Sequence, residues 1–369
     1  MADPRPVAVL FGTRPEAIKL APVILLLKSR RMPTVVLSTG QHEEMVAQVL
    51  RPFGINIDHD LHLMREAQSL DYVLSASIAG IGDFLQRTAV RAVVVQGDTS
   101  STLGASLAAF HADAPVAHVE AGLRSHNITI PFPEEMNRRL TSQLARWHFA
   151  PTKGAAENLR MEGITEGVHI TGNTVVDAVR HILEEPVPLP EQLRSFVTKG
   201  PVIVATAHRR ESWNGGIERV ARALRTVLSE FQEYRLVFAT HPNPLARQPV
   251  ETIFRDEPRA LVVQALEYPS FIRVLSQATL AVTDSGGIQE EGPTLGVPVM
   301  VTRDVTERPE GVEAGAVRLV GTDETTILEG ARELLVDHAA RHAMAAVGRA
   351  LYGDGRAAGR IVEVLNSEA

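Results

Sequence analysis

Cysteine is absent from this chain of 369 residues. That excludes disulfides, thiolate nucleophiles and cysteine-built metal sites, and it fits a reducing cytoplasm. Basic runs are also missing, and the net charge is −7. The electrostatic footprint of a nucleic-acid binder is therefore not there, and no nucleic-acid partner is expected. Any phosphate has to be met locally, by a few Arg, Lys, His and backbone N–H groups. No apolar run approaches membrane-spanning length. Residues Met1 to Pro6 lead into only five apolar residues, too few for a signal-peptide core. His111 and His118 lie seven apart, which is not zinc-ligand spacing, so no metal is expected. The Walker loop, GxGxxG and GxSxG are all missing, which disfavours ATPase, dinucleotide and serine-hydrolase readings.

What is present reads as two series of buried strands and helices. Hydrophobic content is 44% and charged content 22%, ordinary for a globular chain of about two domains. Val7 to Phe11, Val35 to Leu37, Ala92 to Val95, Val116 to Val119, Trp147 to Ala150 and Val168 to Thr171 read as strands with helical patterns between them. Glu185 to Pro190 is stiff and extended, a plausible linker. The alternation then restarts, with strands expected at Val202 to Ala205, Leu236 to Phe238, Leu261 to Val263, Leu280 to Val282 and Val297 to Val301. The fold class expected is α/β, two Rossmann-like doubly wound domains facing across a cleft. Phe53 to Ala67 has no clean period and reads as an irregular crossing. Asp58-His59-Asp60 within it looks like a metal-binding DxD, but two carboxylates in a loop are a weak signal, and a loop is the expectation.

The loops after the strands hold the candidate chemistry. Thr283 to Arg308 reads as strand, glycine turn, helix, strand. Ser285-Gly286-Gly287 lets a backbone rich in unpaired N–H groups approach an anion closely. Glu290 and Glu291 follow, and a carboxylate accepts two hydrogen bonds from a ribose diol. Phosphate plus diol means nucleotide. The competing reading is that Ser285 caps the helix and the acids complement its dipole. Arg14 sits on the first turn and Lys19 one helical turn on, either reaching an anion or simply solvated. Asp98 and Glu120 both end strands, at the edge where open parallel sheets bind ligands. If those strands are neighbours, the two acids suit acid–base chemistry. Asp98 alone also suits a plain N-cap. Glu134 opens a helix carrying Met136, Leu140 and Leu144, as a third acid or as dipole compensation.

The motifs GTRPEAIKLAP, GDTSST, HVEAGLRS, PFPEEMNR, AHRRE, THPNP and TDSGGIQEEGPTLGVPV…TER run in one order over nearly the whole chain. Together they resemble the non-hydrolysing UDP-N-acetylglucosamine 2-epimerases. The resemblance implies a GT-B fold and interconversion of UDP-GlcNAc with UDP-ManNAc, with no cofactor, in a cytoplasmic homodimer. It implies a domain at 1–172, a UDP-binding domain at 173–352, and a final helix in 353–369 returning to the first. Its nucleotide site maps onto Arg14, Lys19, His208, Phe271, Ser285, Gly286, Gly287, Glu291 and Arg308. Its acids map onto Asp98, Glu120 and Glu134, with His208 on the diphosphate and able to move a proton.

The reaction implied is anti elimination of UDP to a 2-acetamidoglucal, then re-addition after a proton returns to the other face of C2. A second, activating UDP-GlcNAc pocket in bacterial relatives maps onto Gln41, Glu134, Arg209 and His241. Ala67 stands where an Arg is usual, Glu44 where Gln is frequent, and Leu266 where a polar residue often lies near the uracil. The departures at Ala67 and Glu44 imply weaker activation by substrate. Other readings of the same residues are a GT-B glycosyltransferase, a silent UDP-sugar binder, an epimerase of a diacetamido-uronate UDP-sugar, and a hydrolysing enzyme that releases ManNAc.

Overall fold

Runs such as Val7–Phe11 are buried at every position, which is what a strand covered by helices on both faces requires. The computed structural model describes residues 3–40, 43–65, 68–185, 187–207 and 215–368. Gln41, Ala67, His208 and Arg209, together with the Glu44 side chain, lie outside the described residues.

Two compact units are present, one made of Met1–Ile182 with Tyr352–Ala369 and the other of Leu183–Leu351. The break falls within the helix Thr174–Glu184, where the sequence reading sets a boundary at 172.

The strands of the first unit are β1 (Val7–Phe11), β2 (Thr34–Ser38), β3 (His59–Asp60), β4 (Ala92–Gln96), β5 (Val116–Val119), β6 (Ala145–Ala150) and β7 (Val168–Ile170). They form one sheet in the order β3-β2-β1-β4-β5-β6-β7, every pairing parallel. The strand order reverses between β1 and β4, the switch point at which doubly wound sheets open a crevice. The helix Ala357–Glu368 buries Ile361, Val362 and Leu365 and packs on the helix Arg14–Ser29 in this unit. Arg91 Nη2 donates to the Asn366 carbonyl at 3.0 Å, and Trp147 Nε1 donates to Glu368 at 3.0 Å.

The second unit repeats the plan with β8 (Val202–Ala207), β9 (Arg235–Thr240), β10 (Ala260–Gln264), β11 (Ala278–Thr283), β12 (Val299–Val301) and β13 (Val317–Leu319). The order is β10-β9-β8-β11-β12-β13, again all parallel. Alternate residues serve opposite faces. Ile203, Ala205 and Ala207 pack with Leu224 and Phe238 on one side, while Val202 and Val204 pack with Val237 and Val274 on the other. Its switch point lies between β8 and β11, where the hydroxyls of Thr206 and Thr283 meet at 2.6 Å.

One expectation needs correction, and three features were not foreseen. Asp58-His59-Asp60 is not only a loop, because His59–Asp60 forms the edge strand β3. Its carboxylates serve the backbone: Val36 N–H donates to Asp58 at 2.8 Å and His62 N–H to Asp60 at 2.8 Å. Strand β13 went unexpected, and so did the helix Glu191–Val197 after Pro190. The helix Glu134–Leu144 does not bury Met136 and Leu140, both of which are exposed. Its inner face is polar, made of Glu135, Asn137, Arg138, Thr141 and Ser142. No helix among the described residues is long and apolar enough to cross a membrane.

Candidate active site

In the first unit the candidate residues gather at the carboxyl edge of β1, β4 and β5. Glu16, in the first turn of the Arg14 helix, is 3% exposed. One of its oxygens accepts from Gly12 N–H at 2.8 Å, Thr13 N–H at 2.6 Å and the Thr13 hydroxyl at 2.9 Å. The other accepts from the hydroxyls of Thr99 at 2.6 Å and Thr102 at 2.8 Å. One carboxylate thus ties the turn bearing Arg14 to the turn bearing Asp98 across the switch point. Arg14 itself is exposed at the start of its helix.

Asp98 is not the cap of the following helix. Thr99 holds that place and accepts from Thr102 N–H. Asp98 instead takes Arg138 Nη2 at 2.5 Å, and its carbonyl accepts from Asn137 Nδ2 at 3.0 Å. Strands β4 and β5 are neighbours, with Gln96 beside Val119. Asp98 and Glu120 therefore leave adjacent strands at the same edge, the condition their acid–base reading set. Glu120 has φ +65°, a left-handed backbone that is uncommon for a residue with a side chain and that clusters at active sites. Its carboxylate is ion-paired with Lys19, and both side chains are 6% exposed. Lys19 thus stands at the same edge, ion-paired with Glu120. Glu134 begins the helix whose Asn137 and Arg138 hold Asp98.

Two histidines lie behind these acids, on β5 and β6, paired as His118 and His148. Burial drives the pKa of His118 down to about 3 and that of His148 down to about 4, against backbone hydrogen bonds that oppose the shift. His118 Nε2–H donates to the Gly97 carbonyl at 2.7 Å and so braces the turn before Asp98.

In the second unit the glycine turn follows β11. Gly287, not Ser285, occupies the N-cap of the helix Ile288–Thr294, and no side chain caps it. Ser285 N–H donates to the Thr283 hydroxyl at 2.9 Å. The two adjacent acids have separate jobs. Glu290 is 1% exposed and accepts from Arg308 Nε at 2.6 Å. Glu291 turns toward Gly287. Arg308 also donates to Glu307 at 2.7 Å and lies over Gly286, where an added Cβ would meet its Nη1 at 2.9 Å. Gly286 thus lets the ends of the Arg308 and Glu307 side chains come close to the turn. Phe271 packs partly buried on the core of this unit, in the helix Tyr268–Leu275. His241 follows β9, and its Nδ1 accepts from Asn243 N–H at 3.0 Å. That bond leaves the ring proton on Nε2.

Sequence reasoning passed over Glu16, Glu135 and Arg138 as functional supports. Glu16 and Glu135 each lie in a first helical turn, where an acid looks like dipole compensation until its partners are seen.

A family model described as UDP-N-acetylglucosamine 2-epimerase matches residues 26–366. The UDP-N-acetylglucosamine 2-epimerase of Escherichia coli K12 is 42% identical over 371 residues, covering 98% of each chain. The crystal structure of the Neisseria meningitidis UDP-GlcNAc 2-epimerase bound to UDP-GlcNAc aligns with a TM-score of 0.89 at 41% identity, covering 97% of this chain and 99% of that one. A Staphylococcus aureus protein in a co-structure with UDP gives 0.90 at 39% identity, over 98% and 96%. Because sequence and fold agree along nearly the whole length, this chain belongs to the UDP-N-acetylglucosamine 2-epimerase family and has its two-domain GT-B fold.

Proposed function

We propose that the protein interconverts UDP-GlcNAc and UDP-ManNAc by elimination and re-addition of UDP, in the cytoplasm, supplying a precursor for cell-surface polysaccharide. The observation that carries this is the set of three acids at one sheet edge of the first unit. Asp98 and Glu120 leave neighbouring strands, and the helix of Glu134 is bonded to Asp98. A family relative is bound to UDP-GlcNAc at 41% identity.

The chemistry follows from the sugar. The C2 hydrogen is barely acidic, so the C1–O bond to the diphosphate opens with or ahead of proton loss. The C2–H electrons become the C1=C2 double bond, and the C1–O pair leaves on UDP. A proton then returns to the opposite face of C2, and the same phosphate oxygen rebonds C1. Asp98, Glu120 and Glu134 handle the protons, and His208 is assigned to the diphosphate and to a proton transfer. Ser285, Gly286 and Gly287 receive the phosphates, Glu291 the ribose diol, and Phe271 packs near the base. Arg14 and Arg308 offset charge on the departing diphosphate. Lys19 is assigned to the same UDP site and is paired with Glu120.

A homodimer accords with the apolar side chains left exposed along the loop and helix from Ile128 to Leu140: Ile128, Ile130, Phe132, Met136 and Leu140. Gln41, Arg209 and His241 are assigned to an activator pocket, weakened by Ala67 and Glu44.

The test is chromatography of UDP-GlcNAc incubated with the protein alone. UDP-ManNAc in equilibrium with its epimer is expected. Free ManNAc with stoichiometric UDP, or UDP release only when an acceptor is added, overturns the proposal.

A further inference from the structure

We propose that Arg138 is a positioning residue for the reaction, holding Asp98 at its working angle while touching no substrate atom. The inference rests on the assignment of Asp98 to proton handling. Arg138 is 3% exposed, inside the polar face of the helix Glu134–Leu144. Nη2 donates to Asp98 Oδ2 at 2.5 Å and Nη1 to Glu135 Oε2 at 3.1 Å. Glu135 is fully buried and takes two more donors, Ser125 N–H at 3.0 Å and Arg139 Nε at 3.1 Å.

Ser125 belongs to the segment that continues from Glu120, and Glu135 follows Glu134 directly. The guanidinium plane therefore links all three acid-bearing segments through two carboxylates. Charge supports the same role. Arg138 and Arg139 balance Asp98 and Glu135, so these four charges cancel, and Arg138 uses both terminal nitrogens on carboxylates while its Nε stays buried without a partner among the described residues. Asp98 is fixed at a second point by Asn137 on its carbonyl, and His118 fixes the carbonyl of Gly97 before it. With Oδ2 engaged by Arg138, Oδ1 is the oxygen left to face a C2 proton. A fixed guanidinium fork sets that orientation as a flexible ammonium does not.

The experiment compares Arg138→Met, Arg138→Lys, Asp98→Asn and the Asp98→Asn/Arg138→Met double variant. It reads kcat and KM for epimerisation, exchange of solvent deuterium into C2, and UDP binding by calorimetry. Arg138→Met is expected to lower kcat and C2 exchange together by about 100-fold, the scale of an ångström-sized misplacement. KM and UDP affinity are expected to stay within about threefold, and Arg138→Lys to recover part of kcat. Because Arg138 acts through Asp98, the double variant is expected to be no slower than Asp98→Asn, within about threefold. Losses that multiply in the double variant overturn the inference, and so does Arg138→Met turning over at the wild-type rate while Asp98→Asn is slow. Asp98→Asn at the wild-type rate removes the underlying assignment and the inference with it. If Arg138→Met does not fold, Arg138→Lys decides: unchanged kcat overturns the inference, and reduced kcat at unchanged KM supports it.

Discussion

Replacing Glu16 by Ala should destabilise the first unit by an amount that its contacts fix in advance. The carboxylate accepts from two backbone N–H groups and three hydroxyl contacts. Two of the three hydroxyls have alternatives: Thr102 already donates to the Gln96 carbonyl at 2.8 Å, and Thr99 lies 3.1 Å from Thr102. The N–H groups of Gly12 and Thr13 have none in their hydrogen-bond sets, and a buried donor left unpaired costs about 1–3 kcal/mol. Glu16→Ala should therefore cost about 2–6 kcal/mol in total. Glu16→Gln should cost less than half of that. Its oxygen still serves the two amides, and its NH2 faces threonine oxygens that can accept.

The chain has two tryptophans, Trp147 and Trp213. A Trp213→Phe background leaves Trp147, 1% exposed in β6, to report on the first unit. In urea the Ala variant should unfold about 1–2 M earlier, given a denaturant slope of about 2–3 kcal/mol/M. A midpoint within about 0.2 M of the parent would refute the reasoning, because a clasp of this kind cannot be removed at no cost.

Acid should weaken the first unit through His118 and His148. Their folded pKa values lie below the usual 6.5, at about 3 and about 4, so the unfolded chain takes protons first as pH falls. Stability is then full above about pH 7 and drops by about 2 kcal/mol per histidine by pH 5. Urea midpoints across that range check this, and a flat profile would contradict it. Gly286→Ala should weaken UDP binding about tenfold, near 1.4 kcal/mol, with little change in unfolding. The added Cβ displaces only the flexible ends of Arg308 and Glu307, and calorimetry giving an unchanged Kd would argue against the assigned turn. Initial rates against UDP-GlcNAc should give a Hill coefficient near one, because Ala67 and Glu44 depart from the activated pattern. A value well above one would restore substrate activation.

The long strands and the loops after them were legible because burial on both faces leaves unbroken apolar runs such as Val7–Phe11. Two of the four edge strands, β3 and β13, were not. His59–Asp60 is two polar residues and Val317–Leu319 is interrupted by Arg318, so neither presents an apolar run. The inner face of the helix from Glu134 was hidden for a different reason. Its apolar positions Met136 and Leu140 face outward, and a charged network occupies the inside. A pattern rule assigns the apolar stripe to the core and cannot register that an Arg138 is neutralised by partners 40 residues away and three residues away. Ser285 as a cap failed similarly: its N–H folds back onto Thr283, and the helix starts later. The choice of Asp98, Glu120 and Ser285–Gly287 as candidates came from their placement at strand ends, a property of topology that survives errors in boundaries.

Proton NMR of UDP-GlcNAc with the protein in D2O tests the central claim most directly. UDP-ManNAc should appear with deuterium at C2, the remaining UDP-GlcNAc should lose its C2 proton at a comparable rate, and no free sugar should accumulate. Epimer that forms with its original hydrogen still on C2 would contradict the elimination account outright.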